Sequence, residues 1–153
     1  MTKSYRAAVP PPLIFFGALV DGILVQLLLP LNIFANPGLG DRLGIITIVA
    51  SAALLAWAVR TMRLVGETPD PSTPVKSIVT VGPFAYSRNP IYLGFTLFDL
   101  GLSLLLNNLW LLLFLVVGLL YVNFKIVRGE EAYLEAQFGE TYLEYTQKVR
   151  RWF

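Results

Sequence analysis

The chain has 153 residues, 56% of them hydrophobic and only 14% charged, and its mean hydropathy is +0.64. Soluble domains carry about 25% charged residues, so the composition excludes an ordinary soluble fold and predicts one membrane domain over 1–153. The net charge of +2 is too small to suggest a nucleic-acid partner, and with neither Cys nor His there is no thiol chemistry, no imidazole base and no expected metal site.

Residues 1–12 form a short basic lead with Lys3 and Arg6, ending in Pro10-Pro11-Pro12. No small-residue cleavage pattern follows, so a removed signal peptide is not expected. A first span is predicted over 13–34, long enough to cross about 30 Å of hydrocarbon. Asp21 and Gln26 interrupt it, and Pro30 is expected to kink it. The stretch 36–41, NPGLGD, reads as a tight polar turn. A second span is predicted over 43–62, apolar until Arg60 and Arg63, which can snorkel to the interface. Pro69, Pro71 and Pro74 then break every periodicity, which predicts an extended connector over 66–74. KSIVTV at 76–81 is short and β-branched, and is expected to lie extended on the membrane surface.

GPFAYSRNPIYLG at 82–94 is a polar, aromatic-rich segment between long apolar runs. Phe84 and Tyr86 stand two apart, so an extended chain points both rings the same way. Asn89-Pro90 reads as an N-cap followed by the first helical residue. A helix N-terminus beside Arg88 and several rings can hold an anion; equally, the segment can simply cap a buried helix. Spans over 91–106 and 109–124 are separated only by Asn107-Asn108, which predicts an antiparallel hairpin. Each is near the lower length limit for crossing. Residues 125–153 form a polar helical tail. There Leu134, Phe138, Tyr142, Tyr145 and Val149 recur at three and four, and Gly139 marks a break. Trp110 and Trp152 read as interfacial anchors.

The expected fold is therefore an all-α membrane protein of about four transmembrane helices, the last two a tight hairpin, with a cytoplasmic C-terminal helical tail. With four crossings, 11 of the 12 Lys and Arg fall on one side and only Arg42 on the other. The positive-inside rule puts both termini, residues 75–92 and residues 125–153 in the cytoplasm.

Three blocks carry a further signal: GPFAYSRNPIYLG, Glu130-Glu131 and FGETYLEY at 138–145. In this spacing, around an apolar hairpin, they resemble the isoprenylcysteine carboxyl methyltransferase family, which is related to the phospholipid methyltransferases. The resemblance covers about half the chain, from Val75 to Phe153. It implies an integral-membrane enzyme that uses S-adenosylmethionine, with cofactor contacts from Lys76, Ser77, Ile78 and Val79, from Phe84, from Asn89, Pro90, Ile91 and Tyr92, and from Glu130. The family usually has Arg-His-Pro where this chain has Arg88-Asn89-Pro90; Asn89 can hydrogen-bond there but cannot titrate. The residue types also suit the cofactor. Rings such as Phe84, Tyr86 and Tyr92 suit adenine and the sulfonium. Arg88 suits a carboxylate, and Glu130 or Glu131 suits the ribose or the ammonium. Either Glu can instead be a solvated residue of the tail. The family places a substrate-carboxylate arginine near Ile126, which makes Arg128 the candidate here, and Glu130 is the other candidate for a catalytic part.

Asp21 and Asp99 lie inside predicted spans, where ionisable groups are expensive and often functional; each can also bond across helices. Methyl transfer from a sulfonium is an in-line displacement that needs alignment rather than a metal. An amine or alcohol acceptor must shed a proton, whereas a carboxylic acid, with a pKa near ~4, has already done so. The expected substrate is therefore a lipophilic carboxylate at the bilayer, with Glu130 holding the cofactor. The alternatives are a phospholipid N-methyltransferase, a steroid-reductase-like NADPH enzyme with its similar Arg-His-Pro-x-Tyr core, and a non-catalytic membrane subunit.

Overall fold

The computed structural model describes residues 9–36, 38–70 and 73–152. Lys3 and Arg6 of the basic lead, Pro37 of the polar turn, Pro71 of the connector and Phe153 lie outside them. Among the described residues all regular structure is helical: α1 (Pro11–Leu28), α2 (Gly38–Leu64), a 3-10 turn (Gly82–Ala85), α3 (Pro90–Leu105), α4 (Leu109–Tyr121), a π-helical segment (Val122–Val127), α5 (Arg128–Phe138) and α6 (Glu140–Lys148).

Among the described residues three helical rods are long and apolar enough to cross a membrane: α1, α2 and the continuous run Leu109–Phe138, whose apolar stretch is 109–124. Helix α3, at 16 residues, is shorter. Their outward faces carry Leu27, Leu28, Ile46, Val49 and Val117, all exposed, as a lipid-facing surface requires. Helix α2 packs along α3, and α1 along α4. The first pair approaches closely because small residues face each other. A Cβ added at Gly44 would stand 2.7 Å from the carbonyl oxygen of Gly101. Ser51 Oγ donates to the Gly94 carbonyl at 2.8 Å, so its hydroxyl is satisfied across the helix pair.

The first span ends earlier than 13–34 predicts. Helix α1 stops at Leu28, since Pro30 has no N–H to continue the ladder. Gln26 reaches over that end: its Oε1 accepts from Leu31 N at 3.0 Å, and its Nε2 donates to Asn32 Oδ1. The turn expected over 36–41 is shorter too. Helix α2 already runs from Gly38, with Asp41 in the first turn, where a negative charge suits the helix dipole. The link Leu106–Asn108 is tight. Asn107 adopts φ +49°, and Asn108 caps α4 by accepting from Leu111 N.

Beyond Phe124 no break separates span from tail. The rod continues through the π segment, and its buried Val122, Ile126 and Val127 pack with Phe15 and Leu115. Gly139, at φ +55°, does end α5, and α6 folds back. The predicted apolar face then closes on itself: Tyr142, Tyr145 and Val149 pack with Leu134, Phe138 and Ile78. Trp152 is less an anchor than a structural contact. Its indole donates to Asn123 Oδ1 at 3.1 Å and packs against the Phe15 cluster. The Trp110 indole donates to the Leu29 carbonyl.

Candidate functional site

At the end of α2, Gly66 takes φ +80°, and Glu67 N donates back to the Met62 carbonyl at 2.9 Å. This is the Schellman ending, which turns the chain sharply. The Glu67 side chain swings inward and is only 7% exposed. Its Oε1 accepts from Lys76 N, Ser77 N and Ser77 Oγ at 3.0, 2.7 and 3.0 Å. These bonds draw residues 76–77 against the end of α2. From α5, Gln137 Nε2 donates to the Val75 carbonyl at 2.6 Å and holds the same segment from the other side.

The 82–94 segment is not extended at its start. A 3-10 turn covers Gly82–Ala85, and in such a turn residues two apart point in different directions. Phe84 faces inward and is fixed by Tyr145, whose hydroxyl donates to its carbonyl at 2.7 Å. Tyr86 turns out, 74% exposed, its ring 6.4 Å from that of Trp57. Asn89 occupies the N-cap position of α3, with Pro90 at the start of the helix, but its side chain makes no cap bond. Asn89 Nδ2 donates instead to the Arg151 carbonyl at 3.0 Å.

The two glutamates of α5 have different partners. Glu131 bridges two guanidinium groups: Arg88 at 2.9 Å and Arg151, which grips both of its oxygens at 2.9 and 2.6 Å. Arg88 also lies close enough to Tyr142 to influence its phenol, and among the described residues one of its buried donors, Nε–H, has no partner. Glu130 Oε1 accepts from the Tyr92 hydroxyl at 2.6 Å. The apolar part of the rod ends at Phe124 and Lys125 and Arg128 follow, so Glu130 lies past the hydrocarbon-crossing part. Burial raises its carboxyl pKa to about 7; the Tyr92 bond opposes that shift and the neighbouring charge of Glu131 adds to it. Burial likewise raises the phenols of Tyr142 and Tyr145, so both are neutral hydrogen-bonding groups at pH 7.

These elements enclose one cavity of about 560 Å³, within the range of small-molecule sites. Ser77, Ile78, Val79, Phe84, Arg88, Asn89, Pro90, Ile91, Tyr92, Glu130 and Glu131 all line it. The lining also includes apolar groups: Pro11 and Pro12 from α1, Leu55, Val59 and Met62 from α2, and Phe95 from α3. Helices α1 and α2 both contribute to the lining but do not pack along each other. Three predicted residues stay outside. Lys76 contributes only its backbone N–H to Glu67. Tyr86 faces out. Arg128 is exposed and sits over the Phe124 ring at 4.8 Å, because residues two apart on a helix point about 200° apart and Glu130 faces the cavity. Glu67, Tyr142 and Tyr145 line the cavity and were not read from the sequence. Among the described residues no three acidic, His or Cys side chains cluster to hold a metal.

The profile of the phospholipid methyltransferase family matches residues 41–141. The chain belongs to that family. It is 42% identical over 73 residues to the protein-S-isoprenylcysteine O-methyltransferase of Schizosaccharomyces pombe, and 41% identical over 73 residues to that of Saccharomyces cerevisiae. Each match covers 47% of this chain and 30% of the yeast enzyme, so the chain spans under a third of these relatives' length. It is also 44% identical over 63 residues to an uncharacterized Haemophilus influenzae protein, covering 40% of this chain and 98% of that one. No solved structure matches it. Family membership and the three apolar rods among the described residues together support an integral membrane protein of the phospholipid methyltransferase family.

Proposed function

We propose that this family member uses S-adenosylmethionine to methylate a lipophilic carboxylate at the membrane. The observation that carries the reading is a single cavity lined both by carboxylates with Arg88 and by apolar side chains of α1 and α2. The cofactor carries a net positive charge, and Glu67, Glu130 and Glu131 give the wall an acidic character that suits it. The unpartnered Nε–H of Arg88 is a donor suited to the cofactor carboxylate. Glu130 is suited to its ammonium, and Phe84 and Tyr92 to its rings and sulfonium. The bound cofactor supplies an activated methyl group. The protein's part is to hold the acceptor in line with it and keep water out. The apolar lining contributed by these lipid-facing helices suits the acceptor's tail.

The membrane arrangement that supports this reading has four crossings in a single domain, α3 and α4 forming the hairpin and the cavity facing the cytoplasm. Asn107 bonds Ile33 and Phe34, so the first and third connections share one end, and the basic residues concentrate at the other. Because the chain lacks Cys, Asn36→Cys gives a clean label, and Asn36 is exposed. It should react with an impermeant thiol reagent from outside; reaction only from the cytoplasmic face would overturn the topology.

A second acceptor class is favoured by one feature. A carboxyl that titrates near neutrality, as Glu130 does, is a usable base, and an amine head group needs one. Calorimetry of the purified chain with S-adenosylhomocysteine, with NADPH and with buffer separates a methyltransferase from a reductase or a non-catalytic subunit. Binding of the first alone is expected; binding of NADPH alone would sink the proposal. Turnover at saturating cofactor then separates the acceptors. A rate nearly flat from about pH 6 to 8 fits the carboxylate, and a steep rise abolished in Glu130→Gln fits the amine.

A further inference from the structure

We infer that Glu67 is a ligand-contacting residue whose second carboxylate oxygen receives the ribose hydroxyl pair of the adenosyl group; this rests on the cofactor reading above. Position comes first. In a Schellman ending the residue after the left-handed glycine is usually apolar and packs back on the helix. Here that residue is a glutamate, 7% exposed. Burying a carboxylate is costly unless its oxygens are bonded. A local rule broken in this way points to function or strain.

The division of bonds comes next. All three protein donors converge on Oε1. Among the described residues Oε2 receives none, yet it is not a sealed, unpartnered atom, so it retains open surface, and the residue lines the cavity. One oxygen is therefore committed to the fold and the other is available to a ligand. A purely structural carboxylate has no need of such a division.

The remaining groups select the moiety. The ammonium and carboxylate of the cofactor stand on one carbon, so their partners must be neighbours. Arg88 and Glu130 meet that condition, since Arg88 pairs with Glu131, the residue next to Glu130. Glu67 is held instead by Lys76 and Ser77, on a different element. That leaves it the ribose, whose two adjacent hydroxyls both donate and match an acceptor-only carboxylate.

The test is calorimetry of the 153-residue chain with S-adenosylhomocysteine and with its 2′,3′-dideoxy form, for the natural sequence and Glu67→Gln. Gln keeps an oxygen for the three donors of Oε1. In the natural protein, loss of the hydroxyls should weaken binding roughly 10- to 100-fold, the scale of hydrogen bonds to a charged group. In Glu67→Gln the two ligands should bind within about threefold of each other. Glu67→Asp, which retracts the carboxylate by one methylene, should narrow the gap as well. Equal affinities in the natural protein would overturn the inference without needing any variant. So would an unchanged gap in both variants, which would leave Glu67 only the task of holding residues 76–77. Failure of the natural protein to bind either ligand would remove the cofactor reading itself, and this inference with it.

Discussion

Polar side chains tie distant segments together at both ends of the helix bundle, but they do so differently. At the end formed by the α3–α4 link, Asn107 Oδ1 accepts from Ile33 N and Phe34 N, and its Nδ2 donates to the Phe34 carbonyl. Asn108 is 2% exposed; it caps α4 and donates to the Gly22 carbonyl. Every amide group there is neutral and used. At the cavity end charged groups join neutral ones in the tying, and some capacity is left over: among the described residues Arg88 Nε–H has no partner, and Glu67 makes all its bonds through one oxygen. The difference teaches how to separate a clamp from a site. A clamp spends all its hydrogen bonds on the fold, whereas a site keeps some for a ligand.

The largest expected effect tests the clamp. Asn108→Ala leaves the Leu111 N–H at the start of α4 unbonded, at a cost of about 1–3 kcal/mol, and removes the second bond to the Gly22 carbonyl, worth about 0.5–1.5 kcal/mol. Stability should fall by roughly 2–4 kcal/mol in a denaturation experiment in detergent, while the surviving folded fraction binds S-adenosylhomocysteine with unchanged affinity. Weaker binding with unaltered stability would reverse the assignment of the two ends.

Arg88→Ala comes next and should show the opposite pattern. Binding should weaken by about 1.5–3 kcal/mol, as for loss of a charge-assisted bond, with membrane insertion intact. Lost insertion without lost binding would make Arg88 a capping residue only.

The third prediction sharpens the contrast through pH. With its pKa raised from 4.5 to about 7, Glu130 is protonated in the free protein below neutrality. A ligand ammonium needs it ionised, so binding there must expel a proton. Affinity should therefore fall as pH drops from 8 to 6, approaching about tenfold per unit below the pKa. Folding responds with its own sign: the contribution of this raised carboxyl is fully present below about 4.5 and lost as pH rises through about 7. Calorimetry across pH should show the binding slope, and Glu130→Gln should flatten it. A slope that survives the substitution would assign the titration to another group.

The smallest effect concerns Asn89. Its bond to the Arg151 carbonyl makes it a partner of the C-terminal segment, so Asn89→Ala should cost about 0.5–1.5 kcal/mol of stability. Because Asn89 also lines the cavity, ligand affinity should fall by no more than the loss of one neutral hydrogen bond, about 2- to 10-fold. A larger change in affinity at constant stability would move Asn89 from the clamp class to the site class.

The sequence by itself determined the local and compositional features. Apolar runs with few charges dictate membrane helices whatever their neighbours. Pro30 and Gly139 interrupt helices through backbone chemistry alone. The Leu134-to-Val149 periodicity states which face of the tail is buried, and the spacing of the three blocks points to the family. Tertiary structure alone decided which groups meet. Arg151 lies 20 residues from Glu131 and acts on it only because the chain end folds back beside α5. Glu67 reads as part of a proline-rich connector until the Schellman turn aims it inward. Tyr86 and Arg128 carry suitable chemistry but face away, since a 3-10 turn and a helix rotate neighbouring side chains in ways that residue type does not record. The physical reason is common to all four. Residue type and spacing encode hydrophobicity and backbone preference, which act locally, whereas a binding site depends on side-chain directions and long-range pairings, which only the packed chain supplies.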